Sequence, residues 1–227
     1  GTADIVKYDF GYEIDPVWEA GNKNIPGIYI EFKEPWLNPK GFEQIVYDVL
    51  ANTQDMNIIE KPEPEDTPFY INNGTINVGN TNGKVILQTF SLESLVRVAE
   101  VFQGKVPMCF LLWKGTGATD LTYDDPLGYA SFINLGVKYK AHFIGPCIAG
   151  VPNDYPELDQ PWQDYLIHRA KMKNHPYTFD TYDQMAKYFG QYNFGVADGM
   201  FNPPYLDALF TNHSDMSINY MITHGWR

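Results

Sequence analysis

Glu31 and Lys33 stand two apart in an apolar run, IYIEFK, rich in isoleucine and aromatic residues. Successive side chains of an extended strand alternate, so both point to one face. A carboxylate and an ammonium on a buried face must pair or bind something, because a lone buried charge is very costly. Two readings are open. One is a plain ion pair closing a core layer. The other is a ligand site, with the carboxylate for a hard cation and the lysine for an anionic oxygen of phosphate type. Trp36, Phe90, Trp113 and Tyr177 gather at the ends of expected strands, with Gln88 close to Phe90. By spacing alone, such rings pack a core or rim more readily than they form a substrate platform.

The other reactive side chains give weaker signals. His142, His168 and His213 have no suggestive neighbours, His175 opens an expected strand, and His224 lies in the tail. A general acid or base needs a positioned partner, and no histidine announces one. Glu13-x-Asp15 alternates as metal-binding carboxylates can, but Pro16 follows it and the stretch reads as a solvated segment. Cys109 and Cys147 make neither a disulfide framework nor a zinc site. Both lie in apolar stretches and read as buried free thiols. Asn73-Gly-Thr75 and Asn212-His-Ser214 match the glycosylation pattern, which also arises by chance.

These residues need a scaffold. The 227 residues are 44% hydrophobic and 15% aromatic, enough for a sizeable core and incompatible with a disordered chain. Sixteen basic residues against 28 acidic ones leave a net charge of −12. Such a surface repels polyanions, which excludes general nucleic-acid binding and disfavours anionic membrane surfaces. No run approaches the ~20 apolar residues of a membrane span, so none is expected.

Short apolar runs alternate with amphipathic segments. Strands are expected at 28–33, 85–90, 108–113, 141–145, 175–179 and 207–211. A helix over 41–51 carries Phe42, Ile45, Val46 and Val49 at helical spacing. Ser91 caps the next, with Leu92, Leu95, Val96 and Ala99 on one face and Gly104 at its stop. Further helices are expected at 127–137 and, with Pro161 just inside its start, at 161–172. Thr181-x-x-Gln184 is a capping box before a face of Tyr182, Met185, Ala186 and Phe189, and Ser214 caps a last helix. Residues 61–83, rich in Pro, Glu, Asn and Gly, read as a surface insertion with a hairpin around 70–78.

Six strand–helix units in series argue for an α/β fold, one domain over 1–227 with a parallel sheet covered by helices. No Gly-x-Gly-x-x-Gly follows a strand, which weakens a dinucleotide-binding reading. Polar residues cluster at the strand ends, where a (β/α)8 barrel carries its chemistry. A whole barrel needs eight units over ~250 residues, so about three quarters of one is expected.

Five blocks carry a closer likeness: GIYIEFKEPW (27–36), ILQTF (86–90), GPCIAG (145–150), HPYTF (175–179) and DALFTN (207–212). Each falls at a strand–helix junction, and in this order they resemble the glycerophosphodiester phosphodiesterases, especially the longer periplasmic-type members. The resemblance runs from residue 25 to the final helix. It implies a TIM-type (β/α)8 barrel that hydrolyses a small-molecule glycerophosphodiester to glycerol 3-phosphate and an alcohol. Glu31 then matches the family's third metal-ligand carboxylate, and Lys33 the lysine at the catalytic centre that contacts phosphate. Gln88, Phe90 and Tyr177 match positions near the substrate pocket, and Trp36 and Trp113 join them as substrate-binding candidates. The cofactor implied is a divalent cation, calcium or magnesium, that neutralises phosphate charge and orients the glycerol hydroxyl for in-line attack. Family members pass through a cyclic phosphate, with two histidines as general acid and base.

In the family those histidines lie in a His-Arg-Gly block and a His-Asp pair, and this sequence has neither. Glu13-x-Asp15 lacks the motifs that flank the family's Glu-x-Asp metal pair. The missing motifs and the missing quarter of the barrel are one gap. The expectation is a sequence that begins after the first barrel strands, with an N-terminal segment of the same protein, or another chain, completing the barrel. On this reading the protein is a periplasmic or secreted, metal-dependent phosphoric diester hydrolase, and the 227 residues alone are inactive. The alternative is a non-catalytic barrel derivative that binds a ligand or a protein partner. Retention of Glu31 and Lys33 speaks against it. Ala208 and Asn212 stand where many members carry Gly and Asp.

Overall fold

The computed structural model describes residues 28–33, 36–52, 71–72, 75–76, 85–104, 106–113, 123, 125–191 and 206–224. Glu13-x-Asp15 and most of 61–83 lie outside them. In chain order the elements are β1 (Ile28–Glu31), α1 (Phe42–Asn52), β2 (Ile71–Asn72), β3 (Thr75–Ile76), β4 (Val85–Thr89), α2 (Leu92–Phe102), β5 (Met108–Leu112) and α3 (Pro126–Lys138). They continue with β6 (Phe143–Pro146), α4 (Pro161–Arg169), β7 (Lys173–Asn174), α5 (Tyr182–Ala186), which runs on as a π-turn over Lys187–Gln191, and α6 (Ser214–Thr223).

Five strands form one sheet in the order β1-β4-β5-β6-β7, every neighbouring pair parallel. The short β2–β3 pair is antiparallel and forms the hairpin expected inside the insertion. The α/β alternation read from the sequence therefore holds. No helix among the described residues is long and apolar enough to cross a membrane.

Local chemistry sets the boundaries. Ser91 caps α2 by accepting from Ser94 N–H, and Asp125 Oδ1 accepts from Leu127 and Gly128 N–H, both at 2.9 Å, to start α3. Pro161 opens α4, where its missing N–H costs no bond. The Thr181–Gln184 capping box closes as expected. Ser214 does not cap α6 but is its first helical residue, with His213 at the cap position. In α1, Ile45 and Val49 are exposed, and the helix instead packs through Phe42, Val46, Tyr47 and Leu50. The apolar spacing fitted two faces, and the neighbouring α2 decides between them.

The last two expected strands need correction. The fifth, expected at 175–179, is regular only just before those bounds, at Lys173–Asn174, and Pro176 in HPYTF has no N–H for the ladder. Residues 207–210 are not assigned as strand, yet they run alongside. Asp207 N–H donates to Asn174 O at 2.8 Å, Phe210 N–H to Pro176 O at 3.0 Å, and Phe179 N–H to Phe210 O at 2.8 Å. Both numbers of each pair rise together, so this added segment is also parallel.

The sheet separates two apolar clusters. Outward-facing Val85, Leu87, Met108, Phe110, Leu112 and Ile144 pack with α2, α3 and α4. Inward-facing Cys109, Leu111 and Phe143 pack with Tyr29, Ile86, Phe90, Tyr177 and Phe210. In a flat sheet β1 and β7 would be roughly 19 Å apart, four strand spacings. Yet the Tyr29 hydroxyl lies 3.1 Å from His175 Nδ1, and the Tyr29 ring centroid 4.8 Å from that of Phe210. The sheet is strongly curled around its inner cluster. A third cluster, including Ile148, Phe179, Met185, Tyr188 and Tyr220, seats α5 and α6.

Candidate functional site

Parallel strands end on a common edge, and the sequence candidates collect there. Glu31 closes β1 and is in register with Gln88 of β4. Lys33 stands two residues past the end of β1, Phe90 and Trp113 follow β4 and β5 directly, and Tyr177 bridges to Cys147 just beyond β6. Alternation puts Glu31 and Gln88 on the inner face, one step beyond Tyr29 and Ile86, which pack in the inner cluster.

Glu31 and Lys33 do form a pair, at 3.8 Å between Lys33 Nζ and Glu31 Oε2. It is not the buried pair expected. The Glu31 side chain is 21% exposed and that of Lys33 is 74% exposed, since the lysine stem reaches past the strand end. Burial raises the Glu31 carboxyl above its ordinary range, outweighing the opposing pull of Lys33. Beside it, Gln88 Oε1 is buried without a hydrogen-bond donor. Two adjacent strands thus present side-chain oxygens at one edge, the Glu31 carboxylate paired with Lys33 and the Gln88 amide oxygen without a donor.

The rings form an arc along the same edge. Phe90 meets Tyr177 edge-on at 5.7 Å, Tyr177 meets Tyr155 at 5.9 Å, and Tyr155 meets Trp113 at 6.5 Å. Tyr177 is fixed by donating its hydroxyl to Leu112 O at 3.0 Å. Burial, then Cys147, raises its phenol far above the ordinary value, so it stays protonated. Trp36 departs from expectation. It is 71% exposed and meets no ring among the described residues. Tyr155 was not singled out in the sequence, because its loop has no periodicity to place it.

The floor of the site is built of Tyr29, Cys109, Leu111, Phe143, Gly145 and His175. A Cβ on Gly145 would stand 2.6 Å from Leu111 Cδ2 and 2.9 Å from Cys109 Sγ. That close approach explains the glycine of GPCIAG. Cys109 and Cys147 are both buried and in no disulfide, as expected, and burial pushes the Cys109 thiol up to about 12. His175 stacks on Phe143 at 4.1 Å, and burial lowers it to about 4, leaving it neutral. Burial likewise lowers His142 to about 3.

A second polar group, unforeseen in the sequence, lies behind β7 on the outer face. Asn174 Nδ2 donates to Asp159 Oδ1 and Asp164 Oδ1, each at 2.8 Å, and both carboxyls are buried. His168 stands 3.2 Å from Asp164 Oδ2 and 2.8 Å from Asp207 Oδ2. Asp207 also accepts from Lys173 Nζ and Asn174 N–H, both at 2.8 Å. Burial alone would lower His168, but Asp164 and Asp207 outweigh it and hold it at about 10. Burial would raise Asp207, but His168, Lys173 and Asn174 bring it to about 2. Asp159 and Asp164 are raised by burial, Asp159 further by its neighbour's charge.

Among the described residues no three His, Cys, Asp or Glu side chains are grouped as a metal cluster would be. No family model matches the sequence, and no curated protein matches it either.

Proposed function

We propose that the chain is the greater part of a (β/α)8 barrel and belongs to a metal-dependent hydrolase of glycerophosphodiesters, releasing glycerol 3-phosphate and an alcohol. The barrel reading is supported by the curl that brings Tyr29 to His175 and Phe210, with one inner cluster drawing on β1, β4, β5 and β6. The observation that carries the functional reading is the pair of side-chain oxygens at the strand ends. A half-buried carboxylate stands next to a buried amide oxygen with no donor, with one ammonium at the rim.

That donor set suits a hard divalent cation of the calcium or magnesium kind, with Glu31 as one oxygen ligand. Such an ion, when bound, neutralises phosphate charge and favours ionisation of a glycerol hydroxyl. Lys33 is extended into solvent and is placed to meet a phosphate oxygen from the open side, adding charge without burial. Gln88 offers its oxygen to a substrate hydroxyl, replacing the bond it lacks. Phe90 and Tyr177 wall the site and exclude water, while Trp113 and Tyr155 stand at its outer margin. None of the described histidines joins Glu31. His175 is neutral in the floor, and His168 is held by two carboxylates on the other face. The described residues therefore supply binding and charge, while proton transfer falls to groups outside them.

The test is made on the native polypeptide with glycerophosphocholine and added calcium or magnesium. Release of glycerol 3-phosphate, lost on chelation and in Glu31→Ala, is the expected result. Binding without release would favour the non-catalytic derivative. Neither binding nor release would remove the reading altogether.

A further inference from the structure

Tyr29 and His175 occupy opposite ends of the strand order, yet their polar atoms meet at 3.1 Å. The Tyr29 ring also packs edge-on against His175, with centroids 6.2 Å apart, and His175 is braced from behind by its stack on Phe143. Each of the two stands one same-face step before a residue of the candidate site, Glu31 after Tyr29 and Tyr177 after His175. A further fact gives the contact its importance. Among the described residues β1 pairs with β4 alone, so the strand bearing Glu31 is held along one edge.

We propose that Tyr29 and His175 are positioning residues, whose contact ties β1 to the far end of the sheet and fixes Glu31 relative to Tyr177. An apolar pair could fill the same space. It would do so with freedom to slide, whereas a hydroxyl–imidazole bond has a narrow range of distance and angle. Placing that bond in a buried floor, where the Tyr29 hydroxyl also meets the Cys109 thiol, exacts a desolvation cost that packing alone does not require. The contact sits directly beneath the ligand groups, and a shift of β1 along its axis would carry Glu31 away from Gln88 and from the Phe90–Tyr177 wall. Only the identity of Glu31 and Tyr177 as ligand groups rests on the proposed function. The tie between the strands does not.

The experiment uses the full chain and three variants: Tyr29→Phe, which keeps the ring, His175→Leu, which removes the polar partner, and His175→Gln, which keeps one. Three quantities are read for each. They are the melting temperature, the affinity for glycerol 3-phosphate with calcium, and the exchange rates of the Phe32 and Tyr177 amides, bonded to Gln88 O at 2.8 Å and Pro146 O at 3.0 Å. Tyr29→Phe is expected to bind about tenfold more weakly and to exchange about tenfold faster at both amides, with the melting temperature lowered by a few degrees. His175→Leu should match it, and His175→Gln should recover most of the loss. Wild-type binding and exchange in Tyr29→Phe would overturn the proposal. If Tyr29→Phe does not fold, the difference between His175→Leu and His175→Gln decides, equal values overturning it. Should the unaltered chain fail to bind, the functional reading falls. Exchange alone then judges the tie, faster at both amides upholding it and unchanged rates overturning it.

Discussion

Two polar groups flank the same curled sheet, and they differ in where their charges are spent. Behind β7, Asp159, Asp164, Asn174, His168, Lys173 and Asp207 form a dense network of contacts, in which Asn174 Oδ1 and Asp164 Oδ2 lack a hydrogen-bond donor and Asp164 Oδ2 instead faces His168 at 3.2 Å. At the strand ends, Glu31 has one distant ammonium and Gln88 Oε1 has no donor. Judged by residue types alone, the first group is the more tempting active site, since it contains an aspartate–histidine–aspartate series. Its geometry argues the reverse. A histidine held near 10 between two carboxylates has little use as a proton shuttle near neutrality. The outer group spends its charges on one another, whereas Glu31 and Gln88 at the strand ends face an open edge.

That contrast can be broken from either side. The largest effect is expected at the outer group. Asn174→Ala strips both buried carboxyls of their shared donor and should cost about 3–5 kcal/mol in urea unfolding. Ligand affinity of the molecules that remain folded should not change. Next is Gly145→Ala, which forces a methyl group against Leu111 and Cys109 in the floor between the two regions. Overpacking of this kind costs about 1–3 kcal/mol, and here it should weaken ligand binding too, because the floor supports the rim.

A smaller effect follows from pH, His168 being partly exposed. Its pKa rises from the ordinary 6.5 to about 10 in the folded chain. The stability it contributes is complete below pH 6.5 and is lost as pH climbs through 10. Asp207 acts in the opposite sense, its contribution present above 3.8 and lost as pH falls through 2. Melting temperatures taken across the alkaline window should decline in the unaltered chain and flatten in His168→Gln. The smallest stability change is expected at the site itself. Glu31→Gln should alter unfolding free energy by no more than about 0.5 kcal/mol, while calcium-dependent ligand binding disappears.

Much of the scaffold was legible in the sequence because local signals agreed with the fold. Ser91, Pro161 and the Thr181–Gln184 box stand where helices start, and period-two alternation in IYIEFK put Glu31 on the inner face. What failed depended on neighbours. The buried face of α1 was set by α2 rather than by its own spacing, and Pro176 cut short a strand that its flanking residues favoured. Lys33 alternated correctly but escaped burial through its long stem. Tyr29 shares the alternation of Glu31, so that signal was present, but only the curl brings it to His175. The group around Asn174 draws on residues from 159 to 207, a separation that no motif spans.

The central claim is that the strand-end oxygens form a cation-assisted phosphate site. Titration calorimetry of the 227-residue chain with glycerol 3-phosphate, with and without calcium, tests it most directly. The account predicts binding that requires calcium, vanishes in Glu31→Ala and weakens in Lys33→Ala. Binding that ignores calcium and survives Glu31→Ala would contradict it.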